Sequence, residues 1–372
     1  MDDTTITEIM MKRIGLLVIT LFVCCTACHR VEKVQALDNS YRLLVNFDGK
    51  YGYCDKMGVT VIPPQFNSAS IFSEGLAPVH INGKEGYIDV NGTVVIPPSF
   101  EKVSIFLNGR AAVQKGATYA FIGQSGKQVT GFDFVSTFSF TEGLAAVVVA
   151  KGSGTKAGYI DANGSFVIKP EFDDASQFSE GLAAVKVGKQ HGYIDKRGKM
   201  VIQPQFYEAA MFHDGLAMVK INGKFGLVGY VDHTGKMVVP PQYGEGTSFN
   251  DGVAAVSKGD TWQLIDLTGK PIIDKQFPAP TIYSEGLAPI MVDGKVGYMD
   301  KAGKMLIKPQ FDGGSIFVNG LAPVKVGKRC GYINKDGKMV IEARFLWDQR
   351  IIDQYTHYYT HFKTPLSKDT SK

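Results

Sequence analysis

Residues 179–206, SEGLAAVKVGKQHGYIDKRGKMVIQPQF, decide the fold, because related copies of this stretch run from about residue 41 to residue 345. The copies align on one glycine, called here the anchor glycine, which stands at Gly52, Gly86, Gly158, Gly192, Gly229, Gly297 and Gly331. Ala120 and Gln263 take its place in two further copies. Successive anchors are 34, 34, 38, 34, 37, 34, 34 and 34 residues apart, so the chain holds nine repeats with two insertions. A fixed period of this length is typical of solenoids and propellers.

Each repeat has the pattern of three short antiparallel strands. In the quoted copy these are residues 182–187, 192–195 and 199–202, and turns that contain glycine separate them. Glycine accepts a positive φ and Asp or Asn bonds the local backbone, which predicts two tight hairpins. We expect Pro204 to end the third strand, because proline has no N–H to donate to the ladder.

The connections between repeats carry two aromatic positions, six residues apart. The first position holds Phe66, Phe100, Phe134, Phe172, Phe206, Tyr243, Phe277, Phe311 and Phe345. The second holds Phe72, Phe106, Phe140, Phe178, Phe212, Phe249, Tyr283 and Phe317. One repeat buries too little apolar surface to offset the entropy of ordering its backbone, so we expect these rings to fill the space between neighbouring repeats.

The sequence therefore predicts an all-β fold, a tandem array of nine antiparallel three-stranded units of about 34 residues. Two shapes are compatible with it, an open superhelical solenoid and a propeller-like ring. The small units and the helical tail described below favour the open form slightly.

The repeats resemble WG repeats, also called KWG repeats. The resemblance rests on residues 83–89 (GKEGYID) with 95–100 (VIPPSF), and on 178–183 (FSEGLA). The slot of the Trp that names the family, directly before the anchor, holds Tyr51, Glu85, Tyr119, Ala157, His191, Val228, Trp262, Val296 and Cys330. Membership implies β-rich repeats with interaction-related roles, and it supplies no catalytic residues.

The first 28 residues resemble a bacterial lipoprotein signal. Lys12 and Arg13 form a positive region, an apolar segment follows, and the segment ends in Cys25-Thr26-Ala27-Cys28. We expect export, cleavage and lipidation at Cys28, which would anchor the chain to the bacterial cell envelope at the outer membrane or cell surface. Residues 29–40 are then a tether, 41–345 the nine repeats, and 346–372 a C-terminal cap and a disordered tail.

The tail and the cysteines add two further expectations. Residues 347–355 have the spacing of a short amphipathic helix, which would cover the exposed last repeat. Cys54 in the first repeat and Cys330 in the last should point to opposite faces of their sheets. We expect two inert buried thiols, with a disulfide that staples a ring as the less favoured alternative.

The polar residues do not suggest chemistry. Net charge is +4 with both signs interspersed, which argues against nucleic acid as a partner. Recurring carboxylates at Asp55, Asp89, Asp161, Asp195, Asp232, Asp266 and Asp300, and at Glu74, Glu142, Glu180, Asp214, Asp251 and Glu285, are expected to shape turns. We expect His80, His213 and His233 to be solvated. We predict no enzyme, no cofactor and no metal site.

Function should lie where the repeats differ. Tyr51, Tyr119, His191 and Trp262, in the slot before the anchor, are candidate ligand-contacting residues. The predicted function is a non-catalytic scaffold of the cell envelope that binds a protein partner. The alternative is a carbohydrate-binding module or, less favoured, a glycan-processing enzyme.

Overall fold

The computed structural model describes residues 41–362 apart from 222, 224 and 225. The predicted signal with its lipidation site at Cys28, the tether 29–40 and the tail from residue 363 onward lie outside the described residues. Within them the chain forms nine antiparallel sheets, one per repeat, and one helix, α1 (Gln349–Phe362). We call the sheets blades 1 to 9 in chain order. The predicted all-β tandem repeat fold is confirmed.

The strands of the first five blades follow the repeat. Blades 1 to 3 comprise β1 (Leu43–Phe47), β2 (Lys50–Cys54), β3 (Thr60–Phe66); β4 (Leu76–Ile81), β5 (Lys84–Asp89), β6 (Val94–Phe100); and β7 (Lys102–Val103), β8 (Arg110–Lys115), β9 (Thr118–Gly123). Blades 4 and 5 comprise β10 (Ser136–Thr137), β11 (Leu144–Lys151), β12 (Gly154–Asp161), β13 (Phe166–Phe172); and β14 (Asp174–Ala175), β15 (Leu182–Val187), β16 (Gln190–Asp195), β17 (Met200–Phe206).

The remaining blades repeat the same order. Blades 6 and 7 comprise β18 (Glu208–His213), β19 (Leu216–Lys220), β20 (Val228–Val231), β21 (Met237–Tyr243); and β22 (Val253–Lys258), β23 (Thr261–Asp266). Blades 8 and 9 comprise β24 (Leu287–Val292), β25 (Lys295–Asp300), β26 (Met305–Phe311); and β27 (Gly313–Gly314), β28 (Ala322–Val326), β29 (Arg329–Ile333), β30 (Met339–Leu346).

One sequence prediction about the third strand is wrong. In blade 5 the third strand does not end at Pro204, because β17 continues to Phe206 and pairs it with His191. The strand lies at the edge of its sheet, where a residue without an N–H is tolerated. A register shift between His191 and Tyr193 places Pro204 against the anchor Gly192.

The anchor glycine is required by this close approach. A Cβ added at Gly192 would lie 2.4 Å from the carbonyl oxygen of Ile202 and 2.8 Å from the nitrogen of Pro204. The other six anchors show the same contact, and a Cβ there would lie 2.4 to 2.7 Å from the matching backbone oxygen. Glycine is therefore selected because the bulged third strand rests on it.

The apolar cores lie between neighbouring blades. Seven clusters of buried side chains each join two successive blades, from blades 2 and 3 to blades 8 and 9. All of the aromatic residues at the two repeating positions are buried, as the sequence predicts. In blade 5, for example, the rings of Tyr193 and Phe212 lie 4.9 Å apart between blades 5 and 6. Each blade is thus stabilised by the next one, and the aromatic rings fill the interface.

The array closes on itself, so the slight preference for an open stack is wrong. An eighth cluster joins blade 9 to blade 1 and includes Cys54, Cys330 and Ile341. The rings of Phe47 and Phe345 meet at 5.1 Å, and Arg329 forms an ion pair with Asp48 at 2.8 Å. The nine blades therefore form a propeller-like ring.

The two cysteines lie in this closing interface. Both are buried free thiols, which confirms the favoured prediction. The two cysteines point to opposite faces of their own blades. When the first blade packs against the last, these two faces meet, so both side chains enter the same core. Burial raises the pKa of each thiol to about 12, which keeps both thiols protonated and unreactive at neutral pH.

Candidate ligand site in the centre of the ring

The inner side of the ring is lined by the segments that open each blade. In blades 3, 4, 5, 6 and 9 these segments include a short strand that pairs with the first long strand. Segments from blades 4 to 8 line one cavity of about 680 Å³ together with α1. Because side chains from five successive blades meet there, the cavity lies at the centre of the ring.

Helix α1 occupies the other part of this centre. The hydroxyl of Tyr355 accepts a hydrogen bond from the backbone N–H of Leu44 in blade 1 at 2.9 Å. Ser70, on the inner side of blade 2, bonds Gln354 at 2.8 Å, and Thr356 bonds Ser315 of blade 9 at 3.2 Å. The predicted helix is present, but it fills the centre of a closed ring and does not cover the end of an open array.

The cavity is the space between α1 and the inner segments of blades 4 to 8. Its lining is mixed: an aromatic ring, Phe138, that is 40% exposed, small alanines, several hydroxyls and one carboxylate, Asp174. Among the described residues that line it, none is a lysine or an arginine. A volume of several hundred Å³ with apolar walls and a few polar groups is typical of small-ligand sites.

Four histidines face the cavity, His191, His213, His357 and His361. The Nδ1 of His191 lies 2.9 Å from the carbonyl oxygen of Tyr207, so Nδ1 donates and a neutral ring presents Nε2 as an acceptor. The rings of His357 and His361 are 4.0 Å apart, and burial together with His361 lowers the pKa of His357. The expectation that His213 is solvated is wrong, since its side chain is buried opposite His361.

Asn250 is the most buried polar residue of the cavity wall, at 4% exposure. Its Nδ2 donates to the carbonyl oxygen of Tyr283 at 2.9 Å. Its Oδ1 has no hydrogen-bond partner among the described residues. A buried acceptor without a donor is uncommon and costs stability, and this oxygen has almost no solvent-accessible surface.

The four sequence candidates do not come together. Tyr51 is buried beneath the start of α1, where its hydroxyl donates to Asp348 at 2.5 Å. Burial, the hydrogen bond to Asp348 and the Asp348 charge raise the pKa of Tyr51 to about 12. Tyr119 and Trp262 are half-buried, and each pairs with the first repeating aromatic of its blade, Phe134 and Phe277. Of the four, His191 alone lines the central cavity.

The recurring Asp residues form turns, as predicted. In each of the seven copies one carboxylate oxygen accepts backbone N–H groups two and four residues further on, as Asp195 does from Arg197 and Lys199 at 2.9 Å. These oxygens are therefore already engaged by their own backbone. They do not form the paired, differently tuned carboxylates of a hydrolase.

The second set of carboxylates has a role that the sequence reading missed. These residues adopt a positive φ of 50 to 55°. Each carboxylate accepts a hydrogen bond from a glycine N–H in the next blade, as Glu180 does from Gly215 at 3.0 Å. The same link joins Glu74 to Gly109, Glu142 to Gly181, Asp214 to Gly252, Asp251 to Gly286 and Glu285 to Gly320. Carboxylate and glycine are 35 residues apart in four of the six links and 39 and 38 in the two that span the insertions, so the repeat spacing is a usable signal for them.

Two further features of the described residues bear on other chemistry. No group of three His, Cys, Asp or Glu side chains within residues 41–362 is arranged to hold a metal ion. The helix in the described part of the chain is neither long nor apolar enough to cross a membrane.

Fold and inner cavity together define an all-β repeat protein built as a ring. The family model of the WG containing repeat matches nine segments, at residues 51–84, 86–119, 119–151, 158–190, 192–225, 229–262, 264–295, 297–330 and 331–345. The chain therefore belongs to the WG containing repeat family, as its sequence resemblance predicts.

Several solved structures are similar to the chain, one of them with a TM-score above 0.5. The crystal structure of a eukaryotic initiation factor is similar with a TM-score of 0.52 and 9% identity, over 80% of this chain and 91% of that chain. Dihydro-heme d1 dehydrogenase NirN in complex with DHE has a TM-score of 0.44 and 14% identity, over 85% and 75% of the two chains. Hsv2 of Kluyveromyces lactis has a TM-score of 0.35 and 10% identity, over 69% and 93%. No curated protein matches the chain.

Proposed function

We propose that this protein is a non-catalytic scaffold of the cell envelope that binds a protein partner through the outer strands of its blades. The sequence features of residues 1–28 support export and a lipid anchor at Cys28. The engagement of the repeated carboxylates in backbone hydrogen bonds supports a role without catalysis. No nucleic acid is part of the proposal, given the interspersed charges.

The observation that carries the proposal is a repeated apolar position on the outer strands, β3, β6, β13, β17, β21, β26 and β30. Each of these strands pairs on one side only, so it forms the rim of its blade. The residue before the buried core position is always aliphatic: Val61, Val95, Val167, Val201, Val238, Leu306 and Val340. Four of these, Val95, Val167, Val201 and Leu306, are 43 to 49% exposed. An apolar side chain kept in water at the same place around a ring favours contact with apolar protein surface.

Partner binding at this rim would use side chains and not an added strand. Six of the seven outer strands contain proline, for example Pro204 in β17 and Pro309 in β26. Proline removes the N–H that an incoming strand would need. The exposed valines and leucines are therefore the contact groups that we assign to the rim.

The glycan alternative has less support at the residues first selected for it. A saccharide surface needs aromatic rings in a row, and Tyr51 is buried under α1. Tyr119, His191 and Trp262 belong to three blades that are not neighbours in the chain; His191 lines the central cavity and Trp262 lines a different one. A strip of stacked sugars along these positions is not part of the proposal.

Site-specific photo-crosslinking tests the proposal. A photoreactive residue replaces Val201 or Leu306 on the rim of the full chain, which is expressed in cells and irradiated in the intact envelope. We expect both positions to yield an adduct with the same protein. Matched controls are Val187 and Met291, which lie in the same two blades, are 46% and 56% exposed, and belong to inner strands. Equal adducts at rim and control positions, or none at the rim, would overturn the proposal.

A further inference from the structure

We propose that the central cavity is a binding site for a neutral saccharide of one or two units. The inference goes beyond the scaffold function, because it uses residues on the inner side of the ring and none on the rim. It also differs from the aromatic positions before the anchor glycines, since only His191 belongs to both sets.

Size and charge define the class of ligand. The cavity holds about 680 Å³, which suits a small ligand and excludes a folded protein segment. With no lysine or arginine among its described lining residues, the cavity has no permanent positive charge for a phosphate or carboxylate, and its basic groups are the four histidines. The one carboxylate in the wall, Asp174, also disfavours an anion. The ligand should therefore be neutral.

The polar groups define its functional groups. The Nδ1–H of His191 donates to the Tyr207 carbonyl oxygen, so Nε2 is the ring nitrogen left to accept, and Asp174 accepts only. Acceptors of this kind pair with hydroxyl donors. Ser139, Ser248 and Thr137 add hydroxyl groups to the same wall, and each hydroxyl donates as well as accepts. A polyhydroxylated molecule satisfies such a mixture better than an apolar one.

One apolar surface completes the site. The Phe138 ring lies in the cavity wall and is 40% exposed, although most phenylalanines of the repeats are buried. An exposed aromatic ring beside hydrogen-bond acceptors offers its face to the C–H side of a sugar ring, while the hydroxyls turn to the polar wall. Phe138 is thus the residue on which we expect the saccharide to stack.

Binding of named sugars to the purified full chain tests the inference. The probes are glucose, N-acetylglucosamine and cellobiose, with glucose 6-phosphate as the charged comparison, measured by saturation-transfer NMR and by calorimetry. We expect at least one neutral probe to bind, and Phe138→Ala to weaken it by about tenfold, while Phe138→Trp keeps most of the affinity. His191→Ala should also weaken binding severalfold.

The controls separate this site from the rim and from the other aromatics. Trp262→Ala and Tyr119→Ala should bind the sugar as the unchanged chain does, because neither residue lines the cavity. Circular dichroism of each variant checks that the fold is kept, which we expect because Phe138 is half-exposed. Absence of binding by all three neutral probes overturns the inference. So does glucose 6-phosphate binding more tightly than glucose, or Phe138→Ala binding as tightly as the unchanged chain.

Discussion

Blades 3 and 7 differ from the other seven blades in one small way that has a large structural consequence. Where the seven have an anchor glycine, these two have Ala120 and Gln263. In the seven, the third strand is a regular strand of seven or eight residues. In the two, it is reduced to isolated bridges, Tyr119 with Phe134 and Trp262 with Phe277 among them. The bulged third strand is thus present where the anchor is glycine and absent in the two described blades that carry a Cβ there.

The two blades also lack the tyrosine that follows the anchor glycine. In six of the seven regular blades this hydroxyl donates to a carbonyl 17 residues further on, on the inner side of the ring, as Tyr193 does to Ala210 at 2.8 Å. Blades 3 and 7 have Phe121 and Leu264 there. Glycine and tyrosine are therefore one structural unit, which fixes the outer strand and the inner segment of a blade together.

The role of the anchor glycine is tested most directly by placing a methyl group at the anchor of a regular blade. Gly192→Ala would put a Cβ 2.4 Å from the Ile202 carbonyl oxygen, against backbone that cannot rotate away. We expect a loss of about 3 kcal/mol in the free energy of unfolding, measured by denaturant titration. Hydrogen exchange in β17 should rise as the outer strand separates.

The matched control is Ala120→Gly in blade 3. Its third strand is already displaced, so the substitution removes one buried methyl group and adds backbone freedom, for a loss of about 1 kcal/mol. If Gly192→Ala costs no more than this control, the anchor glycine does not hold the outer strand and the comparison fails.

The tyrosine hydroxyl gives the next largest effect. Tyr193→Phe leaves the ring in place and deprives the partly buried Ala210 carbonyl of its donor, which should cost about 1.5 kcal/mol in denaturant titration. Tyr119→Phe, which changes a half-buried tyrosine of blade 3, should cost less than about 0.5 kcal/mol. Equal losses would show that the hydroxyl serves packing and not this particular hydrogen bond.

The structural features that could be predicted from the sequence are those that recur in every repeat. The first two long strands of blade 5, the buried aromatics and the Asp turns were all predicted, because each appears many times in the same register. Closure of the ring could not be predicted, since it depends on the small rotation between blades and on contacts such as Phe47 with Phe345 that occur once. The central cavity could not be predicted for the same reason. Phe138 and His213 are single departures from the repeat, and only α1 reveals which space stays open.

The interface between blades 9 and 1, where the ring closes, is held to the centre of the ring by α1. Burial alone would raise the pKa of Asp348, but hydrogen bonds from Arg350, Tyr51 and Asn46 outweigh it and lower the pKa to about 2. A carboxyl group with a lowered pKa in the folded state stabilises the protein above its ordinary pKa near 4, and this contribution is lost as pH falls towards 2.

Asp348→Asn should therefore cost about 1 kcal/mol at pH 7 and much less at pH 2, measured as the difference in unfolding free energy from the unchanged chain. Asp353→Asn on the exposed side of α1 is the control, because the hydrogen-bond partner of Asp353 in the described part of the chain is Gln349 on its own helix. A loss that stays the same from pH 7 to pH 2 would mean that the charge of Asp348 does not hold the helix to blade 1.

The smallest expected effect concerns the carboxylate links between regular blades. Glu180 accepts from the Gly215 N–H and also contacts His233 at 3.1 Å, but it is partly exposed, so water replaces much of what is lost. Glu180→Ala should cost about 0.5 to 1 kcal/mol, and Glu180→Gln, which keeps an acceptor oxygen, about half as much. Glu171→Ala, at an exposed position of β13, should cost nothing measurable. Blade 3 has Asn108 in place of this carboxylate, and Asn108 donates instead to the Phe140 carbonyl oxygen at 2.9 Å. Blade 3 therefore joins its neighbour without the carboxylate. If Glu180→Ala lowers the free energy of unfolding as much as Gly192→Ala does, the anchor glycine is not the main difference between the two kinds of blade.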